Sequence, residues 1–145
     1  MEHFKFNDST ITWSTLEGID HFNYYICSVD RDNQVVDALF KFAANEKIPL
    51  HRHVALNHML VIQGDHILYT PEGEIKEIRP TGRYTISAPD DEPHREGGGD
   101  QDVIIQFSIR GTDGLMYEIL DDERNVIGTL GMDDFEGLLT AQSQA

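Results

Sequence analysis

His51 and His53 stand two apart in Pro49-Leu50-His51-Arg52-His53, and His94 follows some forty residues on, in Pro89-Asp90-Asp91-Glu92-Pro93-His94. On a β-strand, residues two apart share a face, so both imidazoles of such a pair can aim at one point. Imidazole nitrogen suits iron, zinc, copper and nickel. A third histidine from a distant strand would complete a three-nitrogen cap and leave coordination positions open. Open positions are what separate a catalytic metal from a structural one. The competing reading is a chance pairing in a chain with 7 histidines.

Longer stretches carry a family pattern. Phe40 to His53, followed by three residues, Asn57, six residues and Gly64, resembles the first cupin motif. Gly82 to His94 echoes the second: Gly82 opens it, Pro89 sits mid-way, and His94 falls five residues after that proline. There are departures. One extra residue separates Gly82 from Pro89, Asp91 stands where a glycine is usual, and the glutamate that often serves as a fourth ligand is missing. Asn57 holds its place by spacing, with His58 beside it.

The resemblance spans roughly residues 35 to 120 and is specific for fold, not for reaction. It implies an all-β, cupin-type double-stranded β-helix, a jelly-roll barrel. His51 and His53 would lie at the end of one strand, with His94 beginning another opposite. One divalent transition metal per chain is implied: Fe(II) for an enzyme, with Zn, Ni or Mn as alternatives. The fourth position is open between Asn57 and His58, because some cupins carry four histidines. By strand parity His58 faces away from Asn57, and a bulge would be needed to bring it inward. His66 sits in an apolar stretch and reads as a packed, hydrogen-bonded histidine.

The later strands narrow the resemblance. Asp102 to Gly111, followed by Gly114 to Gly128, is similar to the last strands of acetylacetone dioxygenase-like and dihydroxyacetophenone dioxygenase-like cupins. Those enzymes use three-histidine iron sites to cleave a carbon–carbon bond beside a carbonyl. Neutral imidazoles leave the metal its full divalent charge, which favours an anionic chelating substrate such as an enolate. The expected function is therefore an Fe(II) dioxygenase-type cupin acting on a small β-diketone or hydroxyketone. The alternative is a non-catalytic cupin that binds metal or a small ligand and acts as a sensor or regulator, as in anti-sigma factors. Arg83 and Gln106 are cavity candidates by strand parity, with surface positions equally open.

These residues need strands to position them, and strands are legible almost throughout. Phe22 to Val29 is aromatic and β-branched, and Asp30 to Asn33 supplies a turn. Val36, Ala38, Phe40 and Phe42 alternate with more polar neighbours. Further strands are expected over 58–62, 66–70, 74–78, 83–87 and 103–109, with a hairpin across 121–125. The triplet Gly97-Gly98-Gly99 reads either as a flexible lid or as a plain loop. Only 133–139 invites a short helix, with acidic residues at its start and a frayed tail from Thr140 to Ala145.

At 145 residues the chain suits one domain, 1–145, burying about 68–70% of its unfolded surface. A formal net charge of −15, with only 11 Lys and Arg, speaks against nucleic acid. No apolar run is long enough for a membrane span, and Met1 to Lys5 lacks a signal-peptide pattern. A lone Cys27 suits a reducing compartment, so the expected location is cytoplasmic. The expected partners are a small-molecule substrate and a second copy of the chain. A homodimer is suggested by the apolar surface of 22–29 and 35–42.

Overall fold

Residues 3–111 and 113–144 are described by the computed structural model; the first two residues of the N-terminal reading and Ala145 of the tail lie outside the described residues. Among the described residues, twelve strands and one helix follow in order: β1 (Ser14–Leu16), β2 (Ile19–Asp30), β3 (Val35–Phe42), β4 (His51–His53), β5 (Leu56–Gln63), β6 (His66–Tyr69), β7 (Ile75–Arg79), β8 (Tyr84–Ser87), β9 (Arg95–Gly98), β10 (Val103–Arg110), β11 (Leu115–Leu120), β12 (Val126–Gly131) and α1 (Met132–Ser143). Hydrogen bonding groups them into a six-stranded sheet, β1-β2-β3-β10-β5-β8, and two three-stranded sheets, β12-β11-β4 and β7-β6-β9. The jelly roll is thus built of three sheets rather than one closed barrel.

Period-two alternation sets the core. Phe107 of β10 lies opposite Ala38 on β3 and Met59 on β5, and Ile105 lies opposite Phe40 and Val61. All six are buried, and Met116 and Tyr117 of β11 close over them with Phe135 of α1. Burying each such large apolar side chain contributes about 1.5–3 kcal/mol before entropy is set against it. The same parity turns Asn57 inward and His58 outward.

Two elements differ from the sequence expectation. The glycine triplet is no lid: Gly97 and Gly98 belong to β9, pair with Ile67 and His66 of β6, and bridge back to Lys47 and Ala44. A Cβ on Gly97 would stand 1.9 Å from the Glu46 carbonyl oxygen, so glycine is needed for that close approach. The helix runs well past 139 because Gln142 is fixed, not frayed. Its side-chain amide donates to the Ile26 carbonyl and accepts from the Ile26 N–H, both at 2.9 Å. Those bonds fall beside the register shift between Ile26 and Ser28 in β2, where the ladder with β3 is interrupted.

α1 packs along β2, and Lys41 of β3 sits 4.8 Å over the Trp13 ring from the N-terminal segment. The apolar surface of 22–29 and 35–42 is therefore largely covered, contrary to the reason given above for a dimer. Exposed apolar side chains lie elsewhere, on β8 (Tyr84, Ile86), β7 (Ile75, Ile78) and β12 (Val126, Ile127). No helix among the described residues is long and apolar enough to cross a membrane.

Candidate metal centre

The two histidine-bearing segments are direct neighbours, not opposite walls. The His51 N–H donates to the His94 carbonyl at 3.0 Å, and the His94 N–H returns a bond to the His51 carbonyl at 2.9 Å. Directly paired residues in an antiparallel ladder share a face, so His94 points where His51 points. His53 joins them two residues along β4, and Glu96 joins them two residues along from His94. The rings of His51, His53 and His94 lie 4.6–5.2 Å apart by centroid. One ligand atom from each of His51, His53, His94 and Glu96 falls within 4.8 Å of every other.

Glu96 was not anticipated. The glutamate absent from the first motif is supplied by the second, in His94-Arg95-Glu96, whose two-residue spacing repeats that of His51-Arg52-His53. That shared parity was the available signal. Glu96 is 2% exposed, and its two oxygens have separate duties. Oε2 lies 2.6 Å from His51 Nε2 and 3.4 Å from both His53 Nε2 and His94 Nε2. Oε1 lies 2.6 Å from His66 Nε2.

The donor chemistry fits a cation. His51 Nδ1–H donates to the Pro49 carbonyl at 2.9 Å, which leaves the lone pair on Nε2 facing Oε2. Two acceptors this close need a proton or a metal ion between them. His94 Nε2 is buried with no hydrogen-bond partner among the described residues, although Oε2 is near. Donors sharing one ion at about 2.0–2.2 Å stand roughly 3–4 Å apart, and the 3.4 Å from Glu96 Oε2 to His53 Nε2 and to His94 Nε2 falls in that range, while the 2.6 Å to His51 Nε2 is a hydrogen-bond distance. A His/His/His/Glu group of this kind could bind a metal.

Burial and charge prepare the set for it. Desolvation lowers the His53 pKa from 6.5 to about 4, partly offset by the nearby carboxylate. Burial lowers His94 as well, again opposed by Glu96. For Glu96, burial alone would raise the pKa, but the four surrounding imidazoles hold it well below the usual carboxylate range. At neutral pH the centre therefore presents an ionised carboxylate with neutral His53 and His94, the forms that bind metal.

The remaining expected residues lie around or away from this group. Asn57 is fully buried, but its Oδ1 accepts from the Tyr117 hydroxyl at 2.8 Å and its Nδ2 donates to the Ala55 carbonyl. The Tyr117 ring stands edge-on to His53, with centroids 5.0 Å apart, so Asn57 reaches the centre through Tyr117. Burial, reinforced by Glu96, raises the Tyr117 pKa well above 10, and the phenol stays neutral. His58 does not reach the centre: no bulge turns it, and its Nδ1 meets the Tyr84 hydroxyl on the outer face of the sheet. Gln106 is exposed on that face beside Leu39 and Leu60, because it alternates with the inward Ile105 and Phe107. Arg83 is exposed in the turn before β8. Neither lines the cavity. His66 is fully buried, packed by Phe42 and Phe107 and bonded to Glu96.

A cavity of about 50 Å³ reaches the centre, with His51 and Glu96 at its polar end and Phe22, Phe40, Ile48 and Leu130 among its apolar walls.

No protein-family model matches the chain, and no curated protein matches it in sequence. Solved structures do. An RmlC-like cupin protein from Ralstonia eutropha superposes with a TM-score of 0.71 at 15% identity, over 96% of this chain and 92% of that one. An acetylacetone dioxygenase from Acinetobacter johnsonii gives 0.70 at 15% identity, over 98% and 93%. The polyketide cyclase RemF from Streptomyces resistomycificus gives 0.58 at 15% identity, over 97% and 96%. The chain has the cupin fold. The different reactions named among these structures show why the fold does not carry a reaction with it.

Proposed function

We propose that the protein is a metal-dependent cupin enzyme of the oxygenase type, acting on a small, largely apolar β-diketone or hydroxyketone. The observation that carries this reading is the convergence of three imidazoles and one carboxylate, of which His51 and Glu96 line an apolar cavity. A bound divalent transition metal, Fe(II) for an oxygenase, would supply Lewis acidity and a means of engaging dioxygen. His51, His53, His94 and Glu96 would hold it. The phenyl rings of Phe22 and Phe40 would pack the alkyl or aryl ends of the substrate and exclude water, leaving its oxygens to face the metal.

Glu96 changes the electrostatics expected from three histidines. One carboxylate lowers the net charge of the centre by one unit, so less of the affinity for an enolate comes from charge alone. Four protein ligands leave two positions on a six-coordinate ion, enough for a chelating diketone or for one substrate oxygen together with dioxygen.

That same count supports a second reading, a closed four-ligand zinc site in a sensor or regulator. Metal analysis of the purified protein, then anaerobic Fe(II) loading and oxygen uptake with acetylacetone and aryl hydroxyketones, separates the two. Oxygen consumption that depends on both iron and ketone is expected. Tightly held zinc with no uptake on any ketone would favour the regulatory reading.

A further inference from the structure

The carboxylate of Glu96 is divided between two sets of partners. Oε2 faces His51, His53 and His94, whereas Oε1 faces only His66, at 2.6 Å. An ionised carboxylate oxygen can only accept, so with His66 Nε2 at 2.6 Å the His66 hydrogen sits on Nε2. Consistently, His66 Nδ1 has no hydrogen-bond partner among the described residues. The ring cannot swing away: it is fully buried, stacked on Phe42 at 5.9 Å and edge-on to Phe107 at 6.4 Å. Its backbone is fixed from both sides, paired with Arg79 of β7 and with Gly98 of β9, the strand that carries Glu96.

Resting on the metal-centre reading above, we propose that His66 is a positioning residue that holds Glu96 to ligation through one oxygen. A carboxylate with both oxygens free can close on an ion with both, taking a coordination position that a substrate would need. The hydrogen bond from His66 occupies Oε1 and aims Oε2 at the three imidazoles. His66 thereby sets how many positions the centre leaves open, without touching the ion or the substrate. Partners that orient metal-binding side chains in this way typically change affinity by about 10–100-fold when removed.

The experiment uses the whole chain and Co(II) alone, with no substrate. Three variants are compared with wild type after circular dichroism confirms folding. His66→Phe keeps an aromatic ring in the same packing but has no donor, His66→Asn is too short to reach Oε1, and His66→Gln retains an N–H that can reach it. His66→Phe and His66→Asn are expected to bind Co(II) about 10–100-fold more weakly. Their visible d–d absorption should also change in intensity, as a second carboxylate oxygen takes a position that solvent holds in the wild type. His66→Gln should return both affinity and band intensity toward wild type. The proposal is overturned if the donor-deleting variants match wild type in affinity and spectrum, or if His66→Gln behaves as they do. Wild-type protein that takes up no Co(II) would overturn the metal centre itself, a failure distinct from an unchanged His66→Phe.

Discussion

Glu96 and His58 test the site at the scale of single residues, because one reaches the three imidazoles and the other faces the outer surface. Changing His51, His53, His94 or Glu96 singly to Ala should cost more metal affinity than the ~10–100-fold that an outer partner costs. His58→Ala should leave metal content at the wild-type level, and inductively coupled plasma analysis of the dialysed proteins reads both. Equal metal in wild type and the Glu96→Ala protein would remove Glu96 from the ligand set. The metal-free protein should also be acid-sensitive. His53 is held near 4 in the fold against 6.5 when unfolded, so the unfolded chain binds more protons between those values. This contribution is fully present above pH ~6.5 and is lost as pH falls toward ~4; it is on the order of 3 kcal/mol. The shift at His94 has the same sign. Urea denaturation of metal-free protein at pH 7 and pH 5 should show the loss, and equal midpoints would count against a buried, neutral His53. The histidine triad was legible from H-x-H spacing and the second motif. Glu96 was not, because attention to the first motif's missing glutamate pointed to Asn57 and His58 rather than to the same parity after His94.

At the scale of elements, the pairing of β9 with the segment before β4 decides whether the ligands meet. Gly97 adjoins Glu96 and sits where a Cβ would overlap the Glu46 carbonyl. Gly97→Ala should force the two strands apart, lowering stability by about 1–3 kcal/mol and displacing Glu96 from the imidazoles. Thermal melts with metal titration check this, and wild-type values for both would show that the close approach is dispensable. Most strands could be read from alternation, since Val36, Ala38, Phe40 and Phe42 of β3 and Val103, Ile105, Phe107 and Ile109 of β10 are all buried. β9 could not, because two of its four residues are glycines, which carry no side-chain period and read as a loop. The end of α1 was equally hidden. Its last turns are secured by Gln142 bonding to Ile26, a contact across 116 positions that no local pattern announces.

At the scale of the whole molecule, a net charge of −15 must be reconciled with any self-association. For a two-fold dimer we propose an interface centred on β8, one edge strand of the large sheet, where Tyr84 and Ile86 are 54% and 60% exposed. An uncharged strip is where two acidic copies would approach at least electrostatic cost. Light scattering at micromolar concentration should return about twice 16.5 kDa, and Ile86→Lys should return the monomer. A wild-type protein of monomer mass would end the proposal.

The bridge between His51 and His94 has one more consequence. Each residue's amide hydrogen is held by the other's carbonyl, so neither can exchange with solvent deuterium until the seam between the two small sheets opens. Opening that seam also parts the ligands. An ion bound only to the closed form shifts this equilibrium by RT ln(1 + [ion]/Kd), so a tenfold excess over Kd should slow both amides roughly tenfold. Two backbone hydrogens on strands some forty residues apart thus serve as a gauge of how full the centre is, readable even for an ion with no colour and no unpaired spin.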